Sequence, residues 1–312
     1  MSNKVIARIP ASTTNLGSGF DVLGLALQLY SSVELEETCS GVLIEIQGIG
    51  KESITDDENN LAYRAAKLVF EKTGKRLKGL KLTLTNGIPV ERGLGGSGTA
   101  ILGGLLAANY ICGNPFSKNE LLNFAFTLEG HPDNVSASLF GGLVVACVQN
   151  EKVHALKLTV PDELKVVLAI PEFQLQTQLA REALPKSVSL SDAIFNLSRG
   201  AFLVASIATG NLKHLGISMD DRLHQPYRKP LIPGIEDVFS AAMNAGALSV
   251  ALSGAGPTVA AFCTEESIAI SNNMQRAFAE HNIKSETKIL NVDYEGAVVT
   301  SSCDKQVFDN LT

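Results

Sequence analysis

The sequence predicts an α+β fold, and three observations carry that prediction. Apolar residues alternate with polar ones in some segments and recur at three- to four-residue spacing in others, so both strands and helices are present. The two kinds of segment are interspersed along all 312 residues. They do so without the regular strand–helix rhythm of a parallel barrel.

Taken in order, residues 5–9 alternate loosely and stop at Pro10, which reads as a strand running into a loop. Residues 33–38 and 42–47 are two further strand candidates, separated by the turn signal Cys39-Ser40-Gly41. Leu61, Ala65, Leu68 and Val69 lie at helical spacing in residues 60–73, and Gly74 is a natural stop. Leu80, Leu82 and Leu84 alternate with polar residues, predicting a half-buried strand that ends near Thr85. Residues 98–112 are small and apolar all round, as in a buried helix. Ser117 and Glu120 form a capping-box pattern that opens a helix through Leu128. In the second half, residues 165–170 read as a buried strand and 191–209 as a helix. Residues 248–263 read as strand, loop and strand, and 268–280 as a helix. The polar stretch QNEKVH and Pro161 suggest a boundary within residues 150–165.

Composition narrows the function. Hydrophobic residues make up 45% and charged residues 19%, the balance of an ordinary globular chain. A net charge of −6 argues against a nucleic-acid partner, so any bound anion must be met by a local device. Cys39, Cys112, Cys147, Cys263 and Cys303 are scattered, odd in number and without a C-x-x-C pair. Neither a disulfide framework nor a cysteine zinc site fits them, and reduced thiols do. The histidines contain no i, i+4 pair. The amino terminus MSNKVIARIP lacks an apolar signal core, and residues 100–112 are too short to span a bilayer and contain Asn109. The expectation is a cytoplasmic protein with no membrane partner.

The stretch PVERGLGGSGTAILGGLL, residues 89–106, places Gly93, Gly95 and Gly98 in the spacing G-x-G-x-x-G. A dinucleotide-binding loop would have its first glycine at the end of a strand and an acid about 20 residues on at the tip of the next strand. Here NGIPVER intervenes and the capping box stands where that acid belongs. No G-x-x-x-x-G-K-[ST] occurs either. What remains is a glycine-rich loop feeding Ser97 into a helix start, where unpaired backbone N–H groups favour an anion. The alternative is a turn that only needs positive φ, with small residues for tight packing. Three more segments stand beside it. PASTTNLGSGFD, residues 10–21, gathers hydroxyls, Asn15 and Asp21. EGHPDNV, residues 129–135, gathers Glu129, His131, Asp133 and Asn134. LSGAGPT, residues 252–258, is a second glycine loop. Singly, each also reads as an ordinary turn cluster, a helix-ending polar loop or a hairpin turn.

Together these segments resemble the GHMP kinase superfamily, and within it the homoserine kinases. Residues 89–100 are similar to its phosphate loop P-x-x-x-G-L-G-S-S-A. Two further matches are T-x-x-x-R from Thr177 to Arg181 and QPYR ending at Arg228. The matches run in the same order from about residue 4 to 264. One departure is clear: the paired serines are Gly96-Ser97 here, and the following alanine is Gly98.

The resemblance implies two α+β domains, an ATP-binding one over residues 1–160 and a second over 161–312, with the active site at the cleft between them. It implies ATP held by Pro89, Arg92, Gly93, Leu94, Gly95, Gly96, Ser97, Gly98 and Thr99. Ser253, Gly254, Ala255 and Gly256 would complete that site, and Asn60 would stand near the base. Ser97 and Glu129 are the implied Mg2+ ligands. For L-homoserine, it implies Asp21 with Asn15 beside the ammonium, Arg181 and Arg228 on the carboxylate, and His131 and Asn134 near the reacting hydroxyl, with Thr177 assisting. Ser97, Glu129, Asp133 and Asn134 are the implied catalytic set, Asp133 being the candidate base. A homodimer is also implied. The alternatives are a GHMP kinase for another small alcohol, of shikimate or mevalonate type, or a catalytically silent ligand sensor. Retention of Ser97 and Glu129 argues against the sensor.

Overall fold

The structure is a computed structural model and describes residues 4–301, so Cys303 lies outside the described residues. Seven strands form the first sheet: β1 (Lys4–Thr14), β2 (Leu23–Thr38), β3 (Gly41–Gly48), β4 (Gly79–Asn86), β5 (Leu143–Gln149), β6 (Lys152–Leu158) and β11 (Val298–Ser301). Its main path runs β11-β1-β2-β4-β3. The 16-residue β2 pairs with β4 through residues 32–38 and with β5 through Leu23, Gly24 and Leu25, so it carries both ends of the sheet. Among the described residues, only β3 and β4 run parallel. A second, wholly antiparallel sheet is built from β7 (Lys165–Pro171), β8 (Ser249–Leu252), β9 (Val259–Cys263) and β10 (Ser285–Asn291), in the order β10-β7-β9-β8.

Helices α1 (Leu61–Thr73), α2 (Gly96–Ile111), α3 (Lys118–Glu129) and α4 (Pro132–Phe140) cover the first sheet. The second half contributes α5 (Thr177–Glu182), α6 (Leu190–Ala208), α7 (Leu215–Ser218), α8 (Gln225–Arg228), α9 (Ile235–Asn244) and α10 (Ser267–Glu280). Helix α1 forms where expected because Asn60 caps it, accepting the N–H groups of Ala62 and Tyr63, and Gly74 ends it at φ 70°. Its buried face is Ala62, Ala65, Ala66, Val69 and Phe70, a helical period. Helix α2 is buried all round, and Gly104 permits it: a Cβ there would lie 2.0 Å from the Ala62 carbonyl oxygen of α1. Ile101, Leu102 and Leu105 of α2 meet Val5, Ile9, Val33 and Leu82 of the sheet in one core. Each such aliphatic side chain withdrawn from water stabilises the fold by roughly 1.5–3 kcal/mol.

Strand β7 is buried on both faces and shows how the two halves join. Val167 and Ala169 pack toward α9 and α10 with Val238, Met274 and Phe278. Val166, Leu168 and Ile170 point the other way and pack with Leu23, Leu25 and Leu27 of β2. The middle core is therefore shared between the two sheets.

Two expectations are corrected, and one polar stretch takes a definite shape. Strand β1 does not stop at Pro10 but runs to Thr14, with a register shift between Pro10 and Ala11. The shift explains the tolerance, since a bulge interrupts the ladder where proline has no N–H to give. Within QNEKVH, Asn150 and Glu151, at φ 51° and 59°, make the tight turn between β5 and β6. The polar run at His131 opens α4, with Pro132 in the first helical turn, where its missing N–H costs nothing.

Candidate active site

The sequence of α2 leaves the start of that helix open, a setting that favours an anion. Gly95 is the N-cap at φ 75° and brings no side chain to satisfy the first turn. The first helical bond runs from Thr99 N–H to the Gly95 carbonyl, leaving the N–H groups before it without intrahelical partners. A Cβ on Gly95 would lie 2.4 Å from Ser12 Oγ and 2.9 Å from Asn134 Oδ1. Only glycine lets the loop lie this close to β1 and α4.

This loop faces a cavity of about 590 Å³ lined from both halves of the chain. The cavity gathers Asn15, Asp21, Asn60, Pro89, Arg92, Gly93, Leu94, Gly95, Gly96, Ser97 and Thr99. It also gathers Glu129, His131, Asp133, Asn134, Thr177, Arg181, Arg228, Gly254 and Ala255. Gly98, Ser253 and Gly256 do not line it. Gly98 lies deeper in α2, where a Cβ would be 3.2 Å from Val135. Ser253 is buried and donates from Oγ to the Gly93 carbonyl at 2.7 Å. A Cβ on Gly93 would strike the Ser253 carbonyl and stand 3.0 Å from Gly256 N. The second glycine loop thus supports the first from behind. A larger groove of about 850 Å³ beside α8 and α9 holds none of the predicted site residues.

At the mouth of α2, Ser97 Oγ donates to Glu129 Oε1 at 2.5 Å. Burial raises the Glu129 carboxyl above its ordinary range, and the Ser97 hydroxyl acts against that rise. The two groups offer hard oxygens only, which suits Mg2+. Among the described residues no cluster of three or more His, Cys, Asp or Glu could hold a metal, so phosphate oxygens and waters would complete its shell.

On the next helix, Asp133 is 3% exposed. Burial and the nearby Asp21 charge push its carboxyl up to about 6, against bonds from the Asn134 N–H and the Thr14 hydroxyl. Asn134 is fixed by a 2.9 Å bond from Ser12 Oγ to its Oδ1. His131, the N-cap of α4, is held below the usual imidazole range by burial and then by the Arg181 charge.

Across the cavity, Arg181 lies one turn after Thr177 on α5 and forms a bidentate pair with Asp21 at 2.8 and 3.0 Å. Asp21 sits at φ 57° in a loop pinned by Asn15, which accepts the Asp21 N–H and donates to the Gly254 carbonyl. Arg228 is 2% exposed, and burial followed by the Arg181 charge lowers it to about 10, still cationic at neutral pH. Two predicted contacts have other partners. Arg92 gives its guanidinium N–H groups to the carbonyls of Pro171, Val90 and Glu172. Asn60 caps α1 and donates to the Thr55 carbonyl at 2.7 Å.

Sequence reading missed Ser12 and Thr14 as individual site groups, although their dense hydroxyls stood inside a quoted segment. Gln176 and Gln178 also line the cavity and carry no signal beyond flanking Thr177.

Comparison with known proteins fits this geometry. Residues 60–142 match the family described as GHMP kinases N terminal domain, and residues 203–280 the GHMP kinases C terminal. A relative from Moorella thermoacetica, named homoserine kinase, is 48% identical over 94% of this chain and 99% of its own. One from Carboxydothermus hydrogenoformans with the same name is 46% identical over 94% and 96%. A solved structure described as homoserine kinase from Cytophaga hutchinsonii superimposes with a TM-score of 0.88 at 32% identity, covering 95% of this chain and 97% of that one.

Proposed function

This chain belongs to the GHMP kinase family, and from that premise we propose that it is an ATP-dependent kinase for the side-chain hydroxyl of L-homoserine, forming O-phospho-L-homoserine. The observation that carries the reading is one cavity with an anion-binding helix start at one end and an amino-acid-like set of charges, Asp21, Arg181 and Arg228, at the other. The relatives named homoserine kinase support the same acceptor.

In this reading, the free N–H groups at the start of α2 receive the ATP phosphates, without the lysine of a P-loop. Ser97 and Glu129 would hold Mg2+, which would supply neutralisation of charge on the transferring phosphoryl group. Asn134, locked by Ser12, orients the acceptor hydroxyl, and His131 stands beside it as a neutral imidazole. Asp133 accepts the hydroxyl proton. A carboxylate near 6 is mostly ionised at neutral pH yet more basic than a free aspartate, which is what a general base needs. Phosphoryl transfer depends mainly on positioning and charge stabilisation, so this proton transfer supplements the effect of alignment. We divide the chain near residue 160, with β11 returning across that line. We also infer a cytoplasmic homodimer; among the described residues no helix is long and apolar enough to cross a membrane.

Purified protein with Mg-ATP should form ADP with L-homoserine and far less with shikimate or mevalonate. Turnover only with another alcohol, or none at all, overturns the reading.

A further inference from the structure

Arg228 is held by a buried histidine that no site motif includes. His224 has no exposed side chain and lies four residues before Arg228. Its Nε2 is 2.8 Å from the Gly17 carbonyl and 3.5 Å from Asp221 Oδ2, two acceptors, so Nε2 carries the proton. Its Nδ1 is then a bare lone pair, 3.3 Å from Arg228 Nη1, and it accepts from the guanidinium. A second proton on the ring would set two donors face to face. Burial agrees with the neutral form, holding His224 down to about 4.

The imidazole also stacks on Phe20, with ring centroids 5.0 Å apart and planes 20° apart. The Phe20 ring lies beneath both guanidinium groups, 5.7 Å from Arg181 Cζ and 5.1 Å from Arg228 Cζ. Asp221 fixes the turn that presents His224. Its carboxylate accepts the N–H groups of Leu223, His224 and Gln225 at 2.9, 3.0 and 2.6 Å, and the Asn196 amide at 2.7 Å. One imidazole thus ties the loop of Gly17, Phe20 and Asp21, from the first half, to the arginine of the second.

We infer that His224, with Phe20 stacked on it, is a positioning residue for acceptor recognition: it aims Arg228 into the cavity and sets the loop bearing Asp21. The inference rests on the homoserine kinase reading and adds to it a group that touches no substrate. A positioning role separates the two substrates kinetically, because His224 bonds the loop of Gly17 and Arg228, and reaches the glycine loops only indirectly, through the Arg228 bond to the Gly254 carbonyl.

The test uses the full-length enzyme with His224→Phe, which keeps an aromatic stack and loses both hydrogen bonds, and His224→Asn, whose amide oxygen can still accept from Arg228. Losing a hydrogen bond to a charged group predicts a rise in KM for homoserine of roughly 10- to 100-fold in His224→Phe. KM for ATP should stay within about threefold and kcat should fall less than KM rises. His224→Asn should recover part of the loss. Phe20→Leu places no polar group in the core, so if His224→Phe fails to fold it carries the test, with a rise in homoserine KM expected. A homoserine KM within about threefold of wild type, or equal rises for both substrates, overturns the inference alone. A wild-type enzyme without homoserine turnover overturns the functional reading, and this inference with it.

Discussion

Asp21 and Arg181, 160 positions apart in the chain, meet in a two-pronged ion pair with Nη2 2.8 Å from Oδ1 and Nη1 3.0 Å from Oδ2. The sequence reading gave these residues to opposite ends of one amino acid, and the structure gives them to each other. A zwitterion carries the same two charges and can satisfy both partners when it separates them. A ligand with one charge leaves the other partner unmatched.

Arg181→Ala should therefore lose acceptor recognition. About a third of each side chain is exposed, so the cost is set at about 1–3 kcal/mol, roughly 5- to 150-fold in kcat/KM for homoserine. Asp21→Asn should lose on homoserine yet gain on 4-hydroxybutyrate, because it frees the guanidinium. A competition assay with both acceptors checks this; parallel losses on the two would mean that the pair serves only the fold.

The base role proposed for Asp133 makes the rate depend on pH. Its carboxyl stands near 6 against an ordinary 3.8, so kcat/KM should fall as pH drops through about 6 and the base is protonated. The same displacement costs stability at high pH. Below about 4 the group is neutral whether folded or unfolded; the cost grows between about 4 and 6 and is complete above that range. Asp133→Asn should lose roughly 100-fold or more in kcat and remove the acid limb. It should be about 1–3 kcal/mol more stable than wild type at pH 8, with the difference shrinking by pH 5. Urea denaturation at the two pH values reads this directly, and an equal effect at both would sink it.

Ser97→Ala removes one of the two oxygens joined at 2.5 Å at the mouth of α2, and Glu129→Gln neutralises the other's carboxylate by exchanging one oxygen for an amide nitrogen. Both variants should need more Mg2+ for half-maximal rate, by roughly 10-fold or more. Magnesium titrations at saturating ATP measure this; unchanged half-points in both would refute the ligand assignment.

Arg92 makes a separate prediction, because its donors go to three backbone carbonyls, two of them on the segment that follows β7 or ends it. Arg92→Ala should cost about 1–3 kcal/mol in unfolding free energy and leave KM for ATP near wild type. A large rise in that KM with unchanged stability would restore Arg92 to the nucleotide.

These cases show where the sequence was legible. Leu80, Leu82 and Leu84 declared β4, and Ser117 with Glu120 declared α3, because each signal is local and strong. The hairpin at Asn150 and Glu151 was hidden because glutamate seldom takes positive φ. Helix α4 was hidden because it is nine residues long and opens on polar ones. The cavity residues were readable as motifs, since glycine and dense polar loops mark backbone that must approach something. Their pairing was not. Arg181 with Asp21, Arg228 with His224 and Arg92 with Pro171 depend on which loops the topology brings together, and no single segment holds that information.

The last described strand, β11, pairs with β1, the first. During synthesis, then, the edge of β1 stays open until residues 298–301 leave the ribosome. Among the described elements, the lobe that supplies the α2 helix start is the first begun and the last completed. A nascent chain stopped at residue 291 would expose the backbone edge that β11 covers along Val5, Ile6 and Ala7. It should aggregate or recruit chaperones where the finished chain does not, as pulse proteolysis of stalled chains would show. Emergence of residues 298–301 thus sets when the sheet beneath the α2 helix start can close.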